Sequence, residues 1–248
     1  MGRFADRAQR ARLAAALSAS RTAEARYVRE LKRYVQAWRR AYLSVPLPHR
    51  TDAITPHGSH LDVVDKSIVE DIPSAVGKMF DRMSNTVRKQ PFPKLFGIKP
   101  SDTRVAGQIA VARDKNIKLV EDAHREYASK VRKVINDPTN FGLRVEEVQK
   151  LLPDCEGRAE LIARDQTLKL NGQINQTRQE NAGVTSYIWS TSKDERVRPM
   201  HQDLEGTEQD WNDPPITAED GSVNHPGQDY SCRCVGLPIV EELEGLDL

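Results

Sequence analysis

Hydrophobic positions in this chain fall at helical spacing over most of its length and at strand spacing only near its end. From Arg3 to about Leu43 there is no proline and no glycine, and Tyr27, Leu31, Tyr34, Val35, Trp38 and Tyr42 recur at steps of one to four residues. The pattern predicts one helix with an aromatic stripe and arginines around the rest of it. SVPLPHRTDAITPHGSH, residues 44–60, ends that helix with three prolines and predicts a loop or extended arm. Its histidines, His49, His57 and His60, follow no ligand-like spacing and read as loop residues. A second helix is expected from about Leu61 to Lys89, with Pro73 opening its second half. Beyond the linker QPFPKLFGIKPSD, Ser101 or Asp102 offers a cap for a long helix from Thr103 to Ile135. Ile109, Ile117, Val120, Tyr127, Val131 and Val134 give it an intermittent apolar face. At 1.5 Å per residue it spans about 50 Å and calls for a neighbour, in this chain or another. LRVEEVQKLLPDCEG predicts a short amphipathic helix, followed by Cys155 as a buried or loop thiol. A further helix runs from about Arg158 to Asn181 and closes on Ala182-Gly183.

The character changes there. VTSYIWST alternates and predicts a strand, CRCVGLPIV predicts a late one, and loops and turns fill the space between. The fold class is therefore mainly α, with long helices in the N-terminal two-thirds and a small C-terminal α+β, loop-rich module. Three segments are expected: a basic N-terminal helix or arm over 1–50, a helical region over 51–157, and a C-terminal module over 158–248. A module this small buries little apolar surface alone and benefits from a staple.

Charge sharpens the division. Residues 1–50 carry twelve Lys/Arg against three Asp/Glu, a net of +9, whereas residues 192–248 carry four against fourteen, a net of −10. The two ends therefore suit different partners. The first helix has two readings: it packs on its own domain or a partner helix, or it lies near nucleic acid, with Arg29, Lys32, Arg33, Arg39 and Arg40 as the contacts. No stretch reads as a signal peptide or approaches membrane-spanning length, so no membrane partner is expected. Three cysteines in 248 residues argue against a secreted disulfide framework and favour a reducing compartment. Two residues apart in a strand, Cys232 and Cys234 would stand about 6.5–7 Å apart at Cα, at the edge of what a disulfide tolerates.

Four candidate metal ligands fall in the last sixty residues: His201, His225, Cys232 and Cys234. Thiolates with imidazoles favour zinc, with four protein ligands at a structural site. The order His, His, Cys-x-Cys matches no standard finger spacing, and the alternative is that both cysteines are small packed residues. In a strand the two share one face, which suits joint burial and joint ligation alike.

GVTSYIWSTSKDERVRPMHQDLEG, then DPP, then HPGQDYSCRCVGLPIV, resembles the C-terminal signature of the phage Mu F-like family of minor head, or head morphogenesis, proteins. Trp189 fills the strand position, Asp194 and Arg196 the turn, and His201 a Cys-or-His position. Leu204-Glu205-Gly206 matches a Leu-Asp-Gly-like turn, and His225-Pro226 with Cys232-Arg233-Cys234 completes the block. The resemblance covers about residues 158–240; the first 150 residues match only loosely, as helical sequence. Many relatives place Cys-x-x-Cys where this chain has Arg198-Pro199-Met200-His201, so a four-cysteine zinc site is impossible here. A His-Cys-Cys set completed by His225, or by an acidic residue such as Asp203, is the structural zinc site that the resemblance leaves open.

The resemblance implies a virion component encoded beside the portal protein and packaged in low copy through it, acting in procapsid assembly and in genome packaging or delivery. Portal protein, capsid or scaffold proteins and, non-specifically, double-stranded DNA are the expected partners. The head interior or portal vertex is the expected location, after assembly in the host cytoplasm. The alternative is a metal-dependent nuclease or hydrolase using Asp194, His201, Asp203 and His225. The chain has no Gly-rich phosphate cradle, nucleophile elbow or Glu-bearing zinc helix, and two nearby thiolates favour a closed structural site, so no enzymatic activity is expected.

Overall fold

The computed structural model describes residues 7–45, 58–90, 103–140 and 143–239. Residues 46–57 and 91–102, which hold all the prolines of the two linkers with His49, His57 and the Ser101 or Asp102 cap, and the acidic ending EELEGLDL lie outside those residues. Seven α-helices and three strands are seen within them: α1 Arg7–Leu17, α2 Arg21–Leu43, α3 Gly58–Arg88, α4 Thr103–Asn136, α5 Arg144–Lys150, α6 Leu152–Asn181, β1 Ser186–Ser190, α7 Pro199–Asp203, β2 Glu208–Asp210 and β3 Val235–Pro238. The chain divides into two compact units, each built from separated segments: residues 1–24, 83–112 and 164–248 form one, and residues 25–82 and 113–163 the other. The expected segments 1–50, 51–157 and 158–248 follow chain order. The units do not, because the helices return to pack on one another.

The long first helix expected from Arg3 to Leu43 is two helices. Ser18 Oγ donates back to the Ala14 carbonyl at 2.7 Å, and the Ala23 N–H donates to Ser20 Oγ at 3.2 Å. Serine side chains thus close one helix and cap the next, competing with a continuous backbone ladder. In the second unit, Tyr27, Leu31, Val35, Trp38 and Tyr42 of α2 are all buried, together with Ile72, Val76 and Phe80 of α3 and Val120, Tyr127 and Val131 of α4. Tyr34, expected in the same stripe, sits at its edge and donates to Asp71 Oδ2 at 2.9 Å. Two polar residues belong to this core: Asn116 accepts from the Tyr27 hydroxyl, and His124 lies 3.1 Å from the Tyr42 hydroxyl.

Pro73, expected to open the second half of the second helix, lies within α3, which runs unbroken through it. It is exposed, so the Val69 carbonyl that it leaves without an amide donor falls on the solvent side, while buried Ile72 and Val76 hold the turns on either side. His60 is an exposed residue of α3, not a loop residue.

In the first unit, α6 organises the rest. Its C-terminus closes on Gly183 at φ +79, with the Gly183 and Val184 N–H groups donating to the Glu180 and Gln179 carbonyls. Asp165, Asn171, Asn175, Arg178 and Gln179 are buried although polar. Their partners are distant in sequence. Asn171 and Asn175 Nδ2 donate to the Leu17 carbonyl at 2.8 and 2.7 Å, Arg178 donates to the Arg88 carbonyl, and Gln179 Nε2 donates to the Gly236 carbonyl at 2.8 Å. A buried polar group is tolerable only when satisfied in this way.

Candidate metal centre

The three strands form an antiparallel sheet in the order β2-β1-β3, with Trp189 opposite Gly236 and Ile188 opposite Leu237. Alternation along the strands gives the sheet two different faces. Ile188, Val235 and Leu237 pack against Leu13 and Leu17 of α1. Tyr187 and Trp189 point the other way and pack with Trp211, Cys232 and Cys234.

Local chemistry builds the loops over this second face. Pro199 opens α7 and places His201 in its middle. The turn after it is fixed to β1, where the Gly206 N–H donates to the Trp189 carbonyl at 2.8 Å and the Trp189 N–H donates to the Thr207 carbonyl at 2.9 Å. The loop leading into Cys-Arg-Cys is held from three sides. Asp165 Oδ1 on α6 accepts from the Ser231 N–H at 2.8 Å, Arg198 donates to the Tyr230 carbonyl at 2.6 Å, and Arg233 pairs with Asp194. The two cysteines precede β3 rather than lying in a strand, yet both sulfurs turn inward.

They converge on His201. Its Nδ1 is 3.6 Å from Cys232 Sγ and 3.5 Å from Cys234 Sγ, and the three ligand atoms all lie within 4.8 Å of one another. The opposite ring nitrogen, Nε2, is 3.0 Å from Asp229 Oδ2, and Asp229 Oδ1 accepts from Asn224 Nδ2 at 2.8 Å. The charges of these groups are coupled. The Cys234 thiol donates to Cys232, which, with His201 and the Cys234 and Gly227 N–H groups, draws the Cys232 thiol well below its ordinary pKa. The Cys234 thiol is raised by the same neighbour and by burial, and His201 is raised chiefly by its hydrogen bond to Cys232.

His225, the other histidine expected as a ligand, is not part of this group. Its Nδ1 is 3.0 Å from the Tyr187 hydroxyl and its ring packs on Trp211, where burial lowers its pKa. Asp203, the acidic alternative, is exposed, and among the described residues only His201, Cys232 and Cys234 bring three ligand atoms together.

The model of the phage Mu protein F-like family matches residues 107–237, more than half of the chain, from within α4 through the whole His-Cys-Cys arrangement to β3. The chain belongs to that family. It is also 35% identical over 133 residues to an uncharacterised protein of Haemophilus influenzae, a stretch covering 52% of this chain and 29% of that relative. The chain thus matches less than a third of that relative's length. No solved structure matches it.

The Mu F-like motif residues now have physical places. Trp189 is fully buried, with its ring edge-on to His201 at 5.4 Å. Asp194 Oδ1 accepts from the Arg196 backbone N–H, while its side-chain partner is Arg233, and the Arg196 side chain is exposed. Pro226 lies against α6, its carbonyl 2.8 Å from where a Cβ on Gly172 would stand. Cys155, the third cysteine, lies in α6 rather than after a helix, and burial pushes its thiol up to about 12. Asp229 escaped the sequence reading although it lies three residues before Cys232; an aspartate in a loop carries no signal of a histidine partner 28 positions earlier. Of the five residues read as nucleic-acid contacts, all on α2, Arg29, Arg33 and Arg40 are exposed, Arg39 is half-buried and Lys32 is paired with Glu160. No helix among the described residues is long and apolar enough to cross a membrane.

Proposed function

We propose that this chain is a minor head protein, packaged in low copy through the portal and acting in procapsid assembly and in genome packaging or delivery. The observation that carries this reading is the family match over residues 107–237, which takes in the whole His-Cys-Cys module. On this reading the protein resides in the head interior or at the portal vertex after assembly in the host cytoplasm. Its partners are the portal protein and capsid or scaffold proteins. Arg29, Arg33 and Arg40, exposed and within about 40° of one another around the α2 axis, supply a stripe for the phosphate backbone of double-stranded DNA.

The C-terminal module serves cohesion rather than turnover. His201, Cys232 and Cys234 are at most 5% exposed, so a substrate has no approach to them. The residues of the alternative hydrolase reading have other employment: Asp194 pairs with Arg233 and His225 with Tyr187.

Co-expression with the cognate portal protein followed by pull-down tests the role. Full-length protein is expected to associate with portal or procapsid, and failure to associate with either overturns it. Residues 1–50 make a poor truncation for this purpose, because Leu17, Tyr27 and Trp38 are core residues. Incubation with DNA and Mg²⁺ or Mn²⁺ tests the enzymatic alternative: cleavage abolished by His201→Ala would replace the reading above.

A further inference from the structure

We propose that Cys232 Sγ, Cys234 Sγ and His201 Nδ1 are three ligands of one structural zinc ion, and that Asp229 is the residue that positions His201 for it. The ligand set is the one that the fold brings together, without His225. A tetrahedral zinc with Zn–S of about 2.3 Å and Zn–N of about 2.0–2.1 Å holds sulfur and nitrogen about 3.5–3.6 Å apart. The two S···N separations are 3.6 and 3.5 Å, the spacing that such an ion requires between each sulfur and the ring nitrogen.

Proton sharing alone serves this arrangement poorly. Nδ1 has one in-plane position for a proton or lone pair, and two sulfurs converge on it. A proton there is shared with one sulfur at a time, whereas a divalent cation serves both sulfurs and the nitrogen together. On binding, the protons held by the thiols and at His201 Nδ1 pass to solvent, the sulfurs coordinate as thiolates and the ring nitrogen through its lone pair. Two thiolates with an imidazole favour zinc over the hard cations that prefer oxygen.

The surroundings have the form of a ligand-orienting shell. Asp229 Oδ2 sits 3.0 Å from His201 Nε2, the carboxylate–histidine pairing that keeps the other ring nitrogen aimed at a metal, and Asn224 holds Asp229 in turn. The Trp189 indole is fully buried and its N–H meets no partner at hydrogen-bonding geometry. Arg233 points away to Asp194, so the residue between the two ligands brings no competing charge into the site. The described residues supply three of the four ligands that a tetrahedral ion takes.

Zinc content of the full chain, equilibrated with zinc and then desalted, tests the assignment. About one zinc per folded chain is expected, lost in Cys232→Ser and Cys234→Ser and kept in His225→Gln. Cobalt in its place is expected to give the near-ultraviolet thiolate charge-transfer absorption, lost in the same cysteine variants. Because the cysteine variants can fail to fold, Asp229→Asn, nearly isosteric, is measured by competition with a chelator, where zinc affinity is expected to fall ten- to a hundredfold. Folded wild-type protein that holds no zinc overturns the site. Loss of zinc in His225→Gln overturns the ligand set, and unchanged affinity in Asp229→Asn overturns the role of Asp229.

Discussion

Arg233, the residue between the two cysteines, grips Asp194 at two points, with Nη2 2.7 Å from Oδ1 and Nη1 2.6 Å from Oδ2. The pair ties the Cys-Arg-Cys segment to the turn that follows β1, 39 residues away in sequence. A planar guanidinium fits a carboxylate at both oxygens, and an ammonium does not. With both side chains about one-third exposed, solvent screens much of the charge. A double-mutant cycle of Arg233→Ala and Asp194→Ala is expected to give a small favourable coupling in chemical denaturation, with Arg233→Lys recovering only part of it.

Two glycines of α6 are expected to respond in opposite directions to alanine. At Gly172 a Cβ would meet the Pro226 carbonyl oxygen at 2.8 Å and the Gly227 Cα at 3.2 Å. Both are backbone atoms and cannot swing aside, and Gly227 itself holds φ +85. Gly172→Ala should cost about 1–3 kcal/mol by forcing the His-Pro-Gly turn off the helix. At Gly157, which is exposed, nothing lies within 4 Å, so Gly157→Ala should gain up to about 1 kcal/mol of helix propensity. Thermal midpoints of the two variants check the contrast.

Acid sensitivity is expected to arise in the second unit at His124. The Tyr42 hydroxyl donates to Asp65, so its oxygen is left to accept from His124 Nε2–H. Burial holds the ring's pKa down to about 4, with the Asp65 carboxylate opposing. The folded value lies below the unfolded value of about 6.5. As pH falls below about 6.5 the unfolded chain takes up a proton that the folded chain refuses. Stability is therefore full above that pH and declines by up to about 3 kcal/mol toward pH 4. His124→Gln is expected to flatten this part of the stability–pH curve in urea titrations, and an unchanged slope would falsify the assignment.

Helix α1 is expected to be a structural part of the C-terminal module. Leu17 is 1% exposed and packs with Ile188, Val235 and Leu237 on the sheet face opposite the cysteines. Leu17→Ala should destabilise by about 2–5 kcal/mol, read as a lower denaturant midpoint with an unchanged slope.

If the arginine stripe of α2 meets DNA, charge reversal should show it without disturbing the fold. Arg29→Glu, Arg33→Glu and Arg40→Glu together are expected to weaken binding to duplex DNA uniformly across sequences. The slope of log affinity against log salt should become shallower by about 3. Equal affinity and equal salt dependence for the two proteins would remove DNA from the partners of this helix.

Most of the helical stretches and the two main strands were readable from the order of residues, because helical and alternating spacing are properties of neighbouring residues. The α2 stripe, the extent of α4 and the strand around Trp189 were all legible for that reason, as was the Mu F-like signature, which is an ordered string. Ser18 and Ser20 could have shown the break between α1 and α2, but their side-chain bonds to the backbone compete closely with a continuous helix. Which chemistry-bearing residues meet depends on how the chain folds back on itself. His201 and the two thiols come together because β1, α7 and the Cys-Arg-Cys segment are bound to one another and to α6, while His225 is drawn off by Tyr187 and Trp211. The polar face of α6 carries the same lesson. Asp165, Asn171, Asn175, Arg178 and Gln179 look solvent-facing in sequence, and their burial is tolerable only because carbonyls and amides from distant segments are delivered to them. Spacing records what a residue's neighbours are; which distant group satisfies a buried donor or acceptor depends on chain return, which spacing does not record.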